Sequence, residues 1–244
     1  MEVDQLSDPV RSADSVSAPA IEILKQAGST GPRLGVFASS FNPPTIAHVE
    51  LIRRAAEAFS LDETLALAGR ANADKAQYEC SLEDRLAMLK LTFWDARGVS
   101  IGLSSHAFYV DMLEAIARLY PAETDLHFIV GFDTFERVID PEDRYTARYH
   151  RRFRDRDEAL RYLFARSSFI VAGRTGAGLE HVKQLIECEP GLPRERIAYL
   201  DFPATLGEIS ATDVRNRLVS GAPITALVPA QVERYILEHG LYTT

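Results

Sequence analysis

Short apolar runs alternate with longer stretches of helical period from residue 33 onward, and this alternation limits the fold more than any other feature. Residues 33–38 (RLGVFA), 64–68 (TLALA), 99–103, 126–130 (LHFIV), 169–172 and 197–200 read as strands. Residues 45–59 place Ile46, Val49, Ile52, Ala56 and Phe59 at helical spacing. Ser81 reads as the N-cap of a helix with Leu82, Leu86, Leu89 and Phe93 on one face. Residues 110–119 and 179–187 are further helices, and 212–219 and 230–239 make the end of the chain helical. Strands alternating with helices imply right-handed crossovers and an α/β fold, a parallel sheet with helices on both faces. Ligands in such folds sit beyond the carboxyl ends of the strands.

Composition narrows the class. The 244 residues are 46% hydrophobic, which suits one α/β domain with at most a small appendage. A formal charge of -8 argues against general nucleic-acid binding. Cys80 and Cys188 lie far apart without metal-ligand spacing, so no metal ligands are assigned and a reduced, cytoplasmic setting is expected. No run of about eighteen apolar residues occurs, so no membrane span is expected. Nor do the first residues pair a basic start with an apolar stretch, so no secretory signal is expected. Residues 1–31 read as a loose tail with a short helix at 20–27 and a linker at 28–32. Residues 32–244 read as a single domain whose helical end begins near 207.

The chemistry concentrates at two helix starts. The first, FASSFNPPTIAH (37–48), is the first strand-to-helix turn. Pro43 and Pro44 stiffen it, and the helix start should offer unpaired N–H groups and positive partial charge to a phosphate. Thr45 and His48 stand at i and i+3, and Ser39, Ser40 and Phe41 precede them in the turn. The Walker pattern G-x-x-x-x-G-K-(S/T) is absent. The second, GEISATDVRNRL (207–218), sets Ile209, Ser210 and Thr212 before or at a helix start, with Arg215 one turn in. A guanidinium suits forked recognition of phosphate oxygens. Two such helix starts point to a nucleoside triphosphate held between them.

SFNPPTIAH with ISATDVR resembles the nucleotidyltransferase superfamily that carries (H/T)-x-G-H and I-S-S-T-x-x-R motifs. Within it the chain is most similar to nicotinamide or nicotinate mononucleotide adenylyltransferases. SLEDRLAML, AFYVDMLEAI, FIVGFDTF and LVPAQVERYILEHGLY resemble further segments of that family in the same order, so the likeness covers residues 33–242. It implies a Rossmann-like fold and adenylyl transfer from ATP, with Mg²⁺, to a pyridine mononucleotide in NAD biosynthesis. Catalysis would fall to His48, Thr45 and Arg215. ATP would meet Ser39, Ser40, Phe41, His48, Asp133, Ile209, Ser210, Thr212 and Arg215. The mononucleotide would meet Lys75, Arg85, Trp94, Tyr109 and Arg174.

Several of these residues have a plainer reading. Asp133 could be a helix N-cap, Lys75 a solvated lysine, Trp94 core, and GRTGAG (173–178) a loop. The Arg-rich run at 144–156 could gate the site, bind RNA, or be a solvated or oligomer-facing insertion. Homo-oligomerisation is left open. Two departures stand out: Ser39 and Ala47 occupy positions where the family usually has glycine. Tyr109 replaces a small hydroxyl residue, and because a phenol both donates and accepts, both pyridines are expected as substrates. A phosphopantetheine adenylyl- or CDP-alcohol-forming transferase, or a regulator that binds nucleotide without turnover, are the competing readings.

Overall fold

The structure is a computed structural model that describes residues 18–70, 79–140, 152–174, 177–189 and 191–243, without the side chains of 174 and 177–179. One sheet holds β1 (Ile21–Lys25), β2 (Arg33–Ser39), β3 (Glu63–Gly69), β4 (Val99–Ser104), β5 (Asp125–Gly131), β6 (Ser168–Arg174) and β7 (Ile197–Phe202). Their order is β1-β4-β3-β2-β5-β6-β7, parallel except for β1 against β4. Helices α1 (Ile46–Phe59), α2 (Leu82–Phe93), α3 (Tyr109–Ile116) and α4 (Phe132–Ile139) follow β2, β3, β4 and β5 in turn. Next come α5 (Arg156–Phe164) before β6 and α6 (Ala177–Cys188) after it. The chain ends with α7 (Ala204–Gly207), α8 (Ala211–Val219) and α9 (Ala230–Glu238).

The chain steps outward from β2 through β3 to β4, then crosses back to β5 on the other side of β2. The reversal therefore falls between β2 and β5, and a crevice opens beyond their carboxyl ends. Both faces of the sheet are apolar. Leu34, Val36, Leu65, Leu67, Phe128 and Phe169 face the layer of α3, α4, α5 and α6. Phe37, Ala66, Ala68, Ile129 and Ile170 face α1 and α2. Burial on both sides explains why the inner strands β2, β3, β5 and β6 read as largely apolar runs. A third cluster joins Met88 of α2 to Val214, Ile224, Val228, Val232, Ile236 and Tyr242, which seats the C-terminal helices beside α2.

The expected helix at 20–27 is a strand. Ile21 and Ile23 pack toward one face and Leu24 toward the other, a period of two that the short run concealed. Pairing with β4 decides the conformation. Lys25 adds a second tie: its Nζ donates to the carbonyls of Phe93 (3.1 Å), Ala96 (2.6 Å) and Val99 (2.7 Å), capping the end of α2 with a cation. The supposed tail thus contributes an edge strand.

Candidate active site

Thr45 is the N-cap of α1, and with His48 it forms a reciprocal capping box. Thr45 Oγ1 accepts from His48 N at 3.4 Å, and His48 Nδ1 accepts from Thr45 N at 2.9 Å. The second bond fixes the tautomer. Nδ1 serves as acceptor, so the neutral ring carries its proton on Nε2. The ring lies 5.6 Å from Phe37 and 5.4 Å from Phe41 between centroids. Although His48 is partly exposed, desolvation among these rings pushes its imidazole from the ordinary 6.5 down to about 4. His48 is thus a neutral donor held at the start of a helix.

The turn before it is built around Phe41, whose ring is fully buried and whose φ is +46°. That left-handed backbone costs a non-glycine residue roughly 1–3 kcal/mol. The ring packs against Phe37, Phe93 and His48. Phe41 is therefore a wall for His48, and with its ring buried only its main chain is left to meet ATP. Ser39 is the last residue of β2, paired with Ala68, and the turn's left-handed residue is Phe41 rather than Ser39. A side chain at 39 is accommodated without a glycine.

Arg215 of α8 reaches into this turn. Its Nη1 donates to the Asn42 carbonyl at 2.6 Å, and its Nη2 donates to Thr212 Oγ1 at 3.2 Å and lies 3.3 Å from Glu79. The two motif turns, 173 residues apart, are joined by one guanidinium. Ser210 is the N-cap of α8, its Oγ accepting from Asp213 N at 3.0 Å, and Ile209 is half-buried just before it.

The helix start itself is less open than the sequence implied. Ile46 N donates to the Leu227 carbonyl at 2.9 Å, Thr45 N to His48, and His48 N to Thr45. The protein itself takes up most of the donors expected for a phosphate. The imidazole Nε2–H, the Arg215 fork and nearby hydroxyls are what the turn presents.

Other expected ligand residues fall differently. Arg85 is 1% exposed, with Nη1 donating to the Ser40 carbonyl at 2.9 Å and Nη1 and Nη2 both 3.1 Å from the Gly69 carbonyl. It braces the ends of β2 and β3 from below, so its expected mononucleotide contact is corrected to a positioning role. Trp94 caps the far end of α2, at the amino-terminal edge of the sheet, and is 53% exposed. It is away from the crevice and outside the core, contrary to both expectations. Asp133 is exposed in the first turn of α4, where Gly131 is the N-cap, so it borders the crevice without capping the helix.

Tyr109 opens α3, its ring 5.0 Å from Phe128 and 5.9 Å from Phe169. Burial raises its phenol well above the usual range. Lys75 and residues 144–151 lie outside the described residues, as does the Arg174 side chain; the Arg174 backbone ends β6. The described arginines of the basic run are paired within the chain: Arg152 with Asp111 and Glu114, Arg154 with Glu158, and Arg156 with Glu189.

Residues 36–217 match the family described as cytidylyltransferase-like. The chain belongs to the cytidylyltransferase-like family. Among curated members it is 29% identical over 219 residues to a probable nicotinate-nucleotide adenylyltransferase of Gemmatimonas aurantiaca, covering 86% of this chain and 92% of that one. It is 28% identical over 220 residues to a protein of the same name from Chlorobaculum parvum, covering 86% and 98%. Its fold is similar to that of Plasmodium falciparum nicotinic acid mononucleotide adenylyltransferase complexed with NaAD, with TM-score 0.64, 17% identity, and 87% and 98% of the two chains covered. The expected family and Rossmann-like fold are both borne out.

Three residues of this cytidylyltransferase-like site escaped the sequence reading. Asn42, Glu79 and Tyr242 all bear on Arg215; Asn42 stands inside the first motif and Tyr242 ends the last segment of family likeness, whereas Glu79 carried no signal.

Proposed function

We propose that the protein transfers the adenylyl group of ATP to a pyridine mononucleotide, giving the dinucleotide and pyrophosphate in NAD biosynthesis. The observation that carries this reading is Arg215 bonded to the turn that also holds His48. A phosphate oxygen of the mononucleotide attacks the α-phosphorus of ATP as the bond to the bridging oxygen breaks and pyrophosphate leaves. The His48 Nε2–H stabilises the phosphoryl oxygens, and Arg215 holds the departing phosphates. Thr45 holds the imidazole, and the Ser210 and Thr212 hydroxyls stand beside the fork. Among the described residues no group of three His, Cys, Asp or Glu side chains could hold a metal. The Mg²⁺ would therefore arrive on the triphosphate oxygens, where it neutralises charge. Among the described residues no helix is long and apolar enough to cross a membrane. Unpaired Cys80 and Cys188 support a reducing, cytoplasmic setting.

The names of the relatives favour nicotinate mononucleotide as acceptor. Tyr109, kept neutral by burial, can donate or accept, which favours tolerance of the amide as well. The test supplies ATP and Mg²⁺ with a panel of acceptors: both pyridine mononucleotides, phosphopantetheine and phosphorylated alcohols. Pyrophosphate release and dinucleotide formation are followed together. Turnover with a non-pyridine acceptor alone would sink the proposal, as would ATP binding without turnover on any. We expect kcat/KM for the two pyridines within about 100-fold, under roughly 3 kcal/mol. A preference of about a thousandfold either way would exclude Tyr109 as the group that reads the pyridine substituent.

Arg215→Lys is expected to lower kcat/KM by about tenfold or more, because one ammonium cannot span the Asn42 carbonyl, Thr212 and a phosphate together. Steady-state kinetics with ATP varied checks this. Unchanged turnover in a folded variant would remove Arg215 from the site.

A further inference from the structure

Tyr242 lies 200 residues from Asn42 in sequence, yet its hydroxyl donates to Asn42 Oδ1 at 2.7 Å. The two residues are 7% and 2% exposed. Asn42 Oδ1 also accepts from Cys80 Sγ at 3.1 Å, and Asn42 Nδ2 donates to Glu79 Oε2 at 2.6 Å. A carboxylate accepts only, so the amide has one orientation that satisfies all three partners. The same Asn42 gives its main-chain carbonyl to Arg215, and the same Glu79 approaches Arg215 Nη2. Asn42 thus bears on the guanidinium twice, once directly and once through Glu79. Its own orientation is set from the far end of the chain.

We propose that Tyr242 is a positioning residue for Arg215, acting through the Asn42 amide and Glu79. The proposal rests on the nucleotide-binding role of Arg215 stated above. The Tyr242 ring belongs to the third core cluster with Met88 and Val232, so the ring serves packing. The hydroxyl is a separate element: it touches Asn42, inside the first motif turn, and Cys80, which is itself bonded to Asn42. Burial keeps the phenol protonated, so it orients its neighbours without exchanging a proton.

Tyr242→Phe removes the hydroxyl and keeps the ring. Calorimetric titration with a non-hydrolysable ATP analogue reads the Arg215 fork without any acceptor. An error in the assigned acceptor therefore leaves this measurement intact. We expect Tyr242→Phe to weaken analogue binding by about two- to tenfold, the net worth of one neutral hydrogen bond. KM for the mononucleotide should stay unchanged, whereas a general loss of packing would change the active fraction or both constants together. In an Arg215→Lys background the Tyr242→Phe effect should largely vanish, because residues acting through one contact are non-additive. Asn42→Asp, which keeps the main-chain carbonyl but repels Glu79, should reproduce the selective loss if Tyr242→Phe does not fold. Unchanged analogue affinity in a folded Tyr242→Phe, or full additivity with Arg215→Lys, overturns the proposal. A wild-type protein that binds no ATP analogue overturns this proposal together with the proposed function.

Discussion

Replacing His48 with alanine is expected to lower kcat/KM by about two to three orders of magnitude, roughly 3–4 kcal/mol of transition-state stabilisation. The expectation follows from the Nε2–H donor, which is aimed by the bond from Thr45 N to Nδ1 and held between two phenylalanine rings. Alanine also removes half of the capping box, which costs α1 about 1 kcal/mol. His48→Gln separates the two effects, since a glutamine oxygen can still accept from Thr45 N while its amide donor is no longer held at the Nε2 position by a planar ring. Steady-state kinetics beside thermal melts distinguishes them; a folded His48→Ala protein with near-normal kcat/KM would end the assignment.

The pH behaviour follows with a definite sign. The folded-state imidazole is depressed to about 4, against an ordinary 6.5. The group therefore contributes its full stability above pH 6.5 and loses it as pH falls toward 4, where the unfolded chain binds a proton that the fold refuses. The melting temperature of the wild type should fall more steeply than that of His48→Gln over that window. Turnover should show no imidazole titration near neutrality.

Arg85→Met is expected to destabilise the protein by about 3–5 kcal/mol, a large share of an ordinary domain's 5–15 kcal/mol. Methionine fills much of the volume but leaves the Ser40 and Gly69 carbonyls without the donors they now have. Those carbonyls end the two strands that frame the first motif turn, so chemical denaturation and activity should fail together. A variant of wild-type stability that has lost mononucleotide affinity would return Arg85 to the ligand contact expected from sequence.

The sequence made the sheet from β2 to β7 legible, because burial on both faces turns the inner strands into largely apolar runs and β7 keeps a short one at the edge. It misread β1, where five residues hold too few periods to separate helix from strand and pairing with β4 decides. The two motif turns were legible as helix starts; their hydrogen-bond state was not. The Ile46 amide is taken by Leu227, and Asn42 is oriented by Tyr242, both distant in the chain. Trp94 was misjudged because its helix runs away from the crevice. Arg85 was misjudged because arginine rarely lies buried, and here backbone carbonyls hold its guanidinium.

The carboxylate of Glu79 at Arg215 has a consequence for a cell rich in inorganic phosphate. A bare guanidinium at an open crevice would collect small anions and rest blocked. Here the fork already has a negative partner 3.3 Å away, so a lone phosphate gains little by taking its place. A triphosphate reaches Arg215 and His48 at once and can offset the lost ion pair with bonds a small anion cannot make. Glu79 thereby favours an anion that reaches both His48 and Arg215 over one that meets the guanidinium alone.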